Sequence, residues 1–424
     1  MKKSLVLAMA MALGVTASAF AASNPFSDVP AGHWAYDSIS KLAAAGVIDG
    51  YGDTTFGGDK LMTRYEMAQI TAKAMAKGAN VDKLAAEFAD ELDNLGVRVA
   101  NLEKKADNVK IAGNIRYEYG HRSGDKAKQK GDIAKNRLRS RLYVSGQVND
   151  DWSYTARLEN NQEFNGAGKN NVGEEDTQLN QAWVNGKLGG LKVVAGKTDL
   201  TLANGNLYDD TAEYVGISYG KEIKLNAYYG QPVSTDYNYD FDNIFGASVS
   251  GKVGKLGLSV GYDKFQEGLG GTNPMYAQLA KEGEDNAVWN VCASYAFDKN
   301  VKLNLTYLHS DLNDSEIAMP AGVTDVDTDG YVINLAYKGA NRNKVGSWGA
   351  WATYYDQGAG TAVAHTMKTG DWGYFLGEGF KGYNVGANVT LAKNMVYNLD
   401  YYDLEGKETG ADTKVLWSRL QINF

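Results

Sequence analysis

Three arginines recur at every second position of one segment, Arg137, Arg139 and Arg141. Alternate residues of an extended strand share a face, so these guanidiniums form a column, with Leu138, Leu142 and Val144 on the opposite face. Arg116 in the segment before and Arg157 in the segment after have the same parity. A guanidinium stays charged at any working pH, which makes such a column a permanent positive wall. Two uses are open: lining a water-filled passage, or pairing with same-face carboxylates such as Glu118 and Glu159 for stability. Asp199, Asp209 and Asp210 form an acidic group further along. Catalysis has little to work with. The four histidines, His33, His121, His309 and His365, show no metal-ligand or triad-like spacing, although His121 and His365 lie near acids. The one cysteine, Cys292, reads as a small inward strand residue and not as a nucleophile. No enzymatic activity, metal centre or cofactor is expected.

Composition sets the elements that must position these groups. The 424 residues carry a formal charge of −8 with no basic run, so nucleic acid is not an expected partner. A single cysteine excludes an intrachain disulfide framework. Residues 1–21 read as a secretory signal peptide, with Lys2 and Lys3, an apolar core from Leu5 to Val15, and Ala19-Phe20-Ala21 for cleavage. Beyond it no apolar run approaches the ~18 residues of a membrane helix. Mean hydropathy, −0.39, cannot exclude membrane strands, because alternation averages out as hydrophilic.

Residues 22–80 predict a small helical module. A first helix is expected over Ala35 to Ala45, stopped by Gly46, and a second after Thr63, where Thr63 and Glu66 form a T-x-x-E capping box. Asp28, Trp34, Arg64 and Glu66 offer an aromatic face for a sugar ring, a guanidinium for an anion and carboxylates for a cation. Three of them have a blander use, Asp28 as a turn cap, Trp34 as a core ring and Glu66 as a helix cap. Phe26-Ser27-Asp28-Val29, His33-Trp34-Ala35, Gly46-Val47-Ile48-Asp49-Gly50 and Thr63-Arg64-Tyr65-Glu66 resemble the signature of the SLH (surface-layer homology) module, with Tyr65 where that family usually has Ala. The resemblance implies non-covalent binding to peptidoglycan or a polymer attached to it, with Asp28, Trp34, Arg64 and Glu66 at the ligand groove. It also implies a three-fold unit, since such modules commonly occur as three copies and one is visible here.

From Val81 to Val109 the apolar positions Val81, Leu84, Phe88, Leu92, Leu95, Val99, Leu102, Ala106 and Val109 fall three or four apart, the stripe of a coiled-coil seam with a stutter near Phe88. A stalk over 81–109 is therefore expected, three chains supplying three modules as a homotrimer. A single amphipathic helix lying on a domain is the alternative.

Over 110–424 the period changes to two. Ile111, Gly113, Ile115, Tyr117 and Tyr119 alternate with polar neighbours, as do Val301, Leu303, Leu305 and Tyr307, and Met395, Tyr397, Leu399 and Tyr401. Segments of about ten residues with alternately short and long connections predict a transmembrane antiparallel β-barrel of about sixteen strands, both ends on the periplasmic side. The last segment, Leu416 to Phe424, alternates to a terminal aromatic and resembles the C-terminal insertion signal of bacterial outer-membrane proteins. The barrel resembles the general porins, in which basic columns line a constriction and the third long loop folds inward with acids. That resemblance casts Arg116, Arg137, Arg139, Arg141 and Arg157 as the constriction's basic wall, and Asp199, Asp209 and Asp210, on an expected long loop from Asp199 to Asp210, as its acids.

Taken whole, the chain resembles the OmpM-type family of SLH-anchored outer-membrane porins. The resemblance implies an outer-membrane location with module and stalk in the periplasm, lipid around the barrel, passive diffusion of small hydrophilic solutes and ions, and tethering to the wall. A purely structural tether with an occluded barrel is the second reading.

Overall fold

The computed structural model describes residues 25–94, 109–130, 134–164, 176–233, 241–268 and 279–424, apart from the single positions 52, 78, 80 and 368. The expected signal peptide and the stalk residues 95–108 lie outside the described residues. The chain divides into two compact units, Met1–Asn108 and Val109–Phe424.

The second unit is a closed antiparallel barrel of sixteen strands in sequence order. The first six are β1 (Val109–Ser123), β2 (Ala134–Gln147), β3 (Trp152–Phe164), β4 (Gln178–Leu188), β5 (Leu191–Leu202) and β6 (Tyr208–Tyr219). Then come β7 (Ile223–Pro232), β8 (Phe241–Val253), β9 (Leu256–Gly268), β10 (Asn286–Ala296) and β11 (Val301–Ser310). The circuit ends with β12 (Asp329–Lys338), β13 (Trp348–Gln357), β14 (Phe380–Ala392), β15 (Met395–Gly406) and β16 (Asp412–Asn423). An even count leaves both ends of the barrel on one side, where Gly113 and Phe424 exchange two backbone hydrogen bonds of 2.8 and 2.9 Å. No helix of the described residues is long and apolar enough to cross a membrane. The strands do so instead, because closure satisfies every ladder hydrogen bond within the wall.

Alternation decides the faces. Ile111, Val215, Ile217, Leu305, Ile333 and Leu399 are exposed on the outside, an apolar surface that only lipid tolerates. Aromatic pairs mark both rims: Tyr307 with Tyr331 (5.3 Å between ring centres) near one, Tyr337 with Trp348 (5.4 Å) near the other. Short turns demand special backbone. Gly220 takes φ +100° in the β6–β7 turn, where a Cβ would stand 2.0 Å from the Ile223 carbonyl oxygen.

The main buried apolar cluster of this unit sits inside the barrel. It joins Leu207 and Tyr208 to Val363, Met367, Trp372 and Phe375 of the β13–β14 connection.

The first unit holds α1 (Tyr36–Ala44) and α2 (Arg64–Ala76) over a core that includes Phe26, Ile39, Leu42, Val47 and Ala74. The capping box is formed: Thr63 N donates to Glu66 Oε2 (2.7 Å) and Glu66 N to Thr63 Oγ1 (3.2 Å). Residues 81–94 depart from the continuous stalk expected from 81. They form two short helices, α3 (Asp82–Glu87) and α4 (Ala89–Asn94), broken at Phe88, where φ −108° and ψ 25° leave helical geometry. Val81 joins the module core, and Ala85, Phe88 and Leu92 pack with Ala68 of α2. The physical reason is that an apolar stripe buries against the nearest apolar surface, and α2 supplies one within the same chain.

Candidate pore lining and ligand cleft

The barrel register brings the arginine column together across strands. Arg116 of β1 faces Arg139 of β2, and Glu118 faces Arg137. Across the next pair Arg141 faces Glu159 and Tyr143 faces Arg157. Arg116 Nε lies 2.8 Å from Glu118 Oε1, and Arg137 Nε donates to Glu118 Oε2 at 2.9 Å. Arg141 bonds Glu159. Glu118 and Glu159, which partly balance the column, thus stand on its own wall and help so many guanidiniums crowd there.

Arg157 differs from the rest of the column. It is only 2% exposed, donating to Asn180 Oδ1 (2.9 Å) and lying 3.4 Å from Asp199. It ties strands together below the lumen surface.

The acidic group is where sequence and structure part. Residues 199–210 form no long loop but a hairpin, whose tip alone turns into the barrel, where Leu207 and Tyr208 are buried. β5 runs to Leu202, a single 3-10 turn covers Ala203–Gly205, and β6 starts at Tyr208. Asp199 pairs with Thr211 and Thr201 with Asp209. Beyond Lys197 and Ala212 the two strands pair with each other and no longer with β4 or β7, so Asp199 and Asp209 share one face of the hairpin end and Asp210 lies on the other. The stretch could remain a strand because Leu200 and Leu202 alternate with Asp199 and Thr201 and give it an apolar inner face.

The seventh outer connection, residues 358–379, shares the inward place with that tip. Val363 and Ala364 donate to Leu207 O (2.9 and 3.0 Å), Thr366 N to Gly205 O (2.8 Å) and Asp209 N to Ala364 O (2.6 Å). The tip of the β5–β6 hairpin reaches the far wall, where Asn206 Nδ2 donates to Thr306 Oγ1 of β11 (3.1 Å). His365 is buried here against Tyr355, with Nε2 2.9 Å from Gln357 Oε1. Arg122 at the end of β1 anchors the far part of the loop through Asp371 (2.8 Å).

Two features escaped the sequence reading. Arg419 of β16 faces Glu118 and extends the basic wall. Across β11 to β15 the lumen is lined by amides instead. Asn304 Nδ2 donates to Asn334 Oδ1 (2.9 Å), Asn334 Nδ2 to Thr353 Oγ1 (2.8 Å), and Trp351 Nε1 to Asn384 Oδ1 (2.9 Å) and Asp400 Oδ1 (3.1 Å). Inward Asn at matching register in neighbouring strands was the available signal.

In the module, Asp28 and Trp34 line one cleft of about 480 Å³, with His33, Asp53 and Lys60. Trp34 is 56% exposed. Asp28 accepts from the Phe56 and Gly57 amides (2.7 and 2.8 Å), bonds that hold its carboxyl below the ordinary 3.8. Arg64 and Glu66 do not line this cleft. Arg64 bonds Glu91 (2.6 Å) and Glu87 (3.0 Å) and stacks over Phe88 at 5.0 Å, while Glu66 closes the capping box.

Residues 25–68 match the S-layer homology domain model. An outer membrane protein SlpA of Deinococcus radiodurans is 42% identical over 127 residues, covering 25% of this chain and 11% of that protein. Outer membrane protein alpha of Thermotoga maritima is 36% identical over 114 residues, covering 25% of this chain and 26% of that one. The chain therefore spans only a small part of the relatives it matches. Among solved structures, a triple mutant of Rhodopseudomonas blastica porin aligns over 74% of this chain and all of that one, at 14% identity and TM-score 0.44. Pseudomonas putida OprB aligns over 77% of this chain and 96% of that one, at 11% identity and TM-score 0.49.

Proposed function

We propose that this SLH-bearing outer-membrane barrel, a porin in architecture, is an open channel for passive diffusion of small hydrophilic solutes and ions, and that the same chain tethers the outer membrane to peptidoglycan or a polymer attached to it. The observation that carries the channel reading is the polar inner face of the closed wall, from the arginine column round to the amides of β11 to β15. A barrel built only to anchor has no use for a hydrated wall of fixed charge. On this reading Arg116, Arg137, Arg139 and Arg141 line the passage, and Arg157 and Asp199 brace it. The exposed Trp34, beside the loop that Asp28 holds, offers the wall polymer an aromatic platform. Arg64 ties α2 to Glu87 and Glu91, and Glu66 caps α2. Three chains would assemble through the segment after residue 94, bringing three modules together.

Burial of Trp372, Phe375 and Leu376 inside the barrel favours a second reading, an occluded tether. Single-channel recording of the purified full chain in a planar bilayer separates the two. Steps that close in thirds are expected; silence from protein with heat-modifiable gel mobility would replace the channel by the tether.

A further inference from the structure

The inner wall of β11 to β15 differs in chemistry from the rest of the lumen. It lines a cavity of about 570 Å³, within the ~300–1,000 Å³ range of small-molecule sites. Register puts Asn304, Asn334, Thr353 and Asn384 level with one another on four neighbouring strands. Three of the four are amides; Asn304 and Asn334 each spend one donor within the belt and hold a second, while Asn384 gives both of its donors to Asp400 and Tyr401. Trp351 completes the site. Gly386 stands opposite it in β14, and a Cβ there would come 2.5 Å from the indole ring. The missing side chain lets the indole lie flat against the wall, one face toward the cavity. At the edge, the buried Nε of Arg419 finds no hydrogen-bond partner among the described residues.

We infer that this belt is a binding subsite for an uncharged, polyhydroxylated solute of the saccharide class. The inference rests on the channel reading and names the solute class that the channel favours. Vicinal hydroxyls both donate and accept, which is what a row of amides and a threonine offers in return. The C–H face of a sugar ring packs on an indole held flat. The charged lining is Lys302 and Arg419 against Asp400, so an anion meets a net charge of only one, and a cation finds Asp400 Oδ1 already bonded to Trp351 and Asn384. Water fills such a wall in the resting state, and a hydroxyl can replace it bond for bond.

The test uses the full chain in planar bilayers, adding sucrose on one side and, separately, polyethylene glycol of matched hydrodynamic radius. Sucrose should reduce conductance saturably, while the polymer reduces it linearly with concentration. In Trp351→Ala and in Asn334→Ala, each compared with its own sugar-free conductance, the half-saturating sucrose concentration should rise on the order of tenfold. Calorimetric titration of sucrose into the detergent-solubilised protein reads the belt independently of conduction. A linear response equal to that of the polymer, with no calorimetric binding, overturns the subsite and leaves the channel standing. Silent bilayers with saturable heat overturn the channel and keep the subsite. Silence in both overturns both.

Discussion

Glu118 lies within reach of both Arg116 and Arg137, and Glu159 bonds Arg141, so the column is a cationic wall with its counter-charges built in. Replacing Arg137, Arg139 and Arg141 together with Gln removes three positive charges and leaves those carboxylates in place. The wall then keeps Arg116, Arg157 and Arg419 against Glu118 and Glu159 and loses most of its positive excess, so the reversal potential in a salt gradient should shift toward cation selectivity; an unmoved potential would take the column out of the conduction path. Arg122 faces a different demand. Its partner Asp371 is 1% exposed, and stranding a buried carboxylate costs about 3–5 kcal/mol. Arg122→Ala should therefore loosen the inward loop and open new protease sites within 358–379, against none in the parent protein. In the module, Asp28 is held low chiefly by the Phe56 amide, Glu66 by the Thr63 amide and Glu91 by Arg64. Folded values below the ordinary 3.8 and 4.5 stabilise the module above those values, and the contribution fades as pH falls through the depressed ones. Proteolysis between Thr63 and Asn94 should accelerate from pH 6 to pH 3, and a flat profile would count against these bonds.

At the level of elements, the inward loop 358–379 and the β5–β6 hairpin tip act as one brace across the lumen. Excising residues 361–376 behind a short Gly-Ser link should raise single-channel conductance roughly twofold or more, since the narrowest section governs flow. Equal conductance would place the constriction elsewhere. The strands themselves were legible because period two is a strong signal over ten-residue segments, and the arginine column followed from parity alone. The inward loop was not legible by the same means. Val363, Met367, Trp372 and Phe375 follow neither a strand nor a helix period, since an irregular segment buries whichever side chains its path turns inward. A clue lay in Trp372, Tyr374 and Phe375, aromatic residues in a loop that water would otherwise surround. The 199–210 stretch failed for the opposite reason: its place came from resemblance, while its own alternation of Leu200 and Leu202 with polar neighbours already spelled strand. The stripe from Val81 had the right period for a helix, yet period does not say which surface the stripe meets. Part of it meets α2.

For the whole molecule, the proposed function divides the work between the two units, and removal of one should leave the other. Deleting residues 22–77 should preserve conductance and abolish co-sedimentation with purified peptidoglycan; retained sedimentation would sink the tethering role. The brace across the lumen also bears on the order of events in time. Gln357 donates to the Asn206 carbonyl across a sequence separation of 151 residues. Contacts between such distant parts of a chain form late, because the intervening segment must first be placed. β6 to β13 therefore have to be threaded into the wall before the seventh connection can find the third. A chain halted at that stage would be a nearly complete cylinder without the seventh connection across its bore. Cells making a variant slow at this step should then leak small dyes before they lose the protein, a permeability fault that comes from delayed maturation alone.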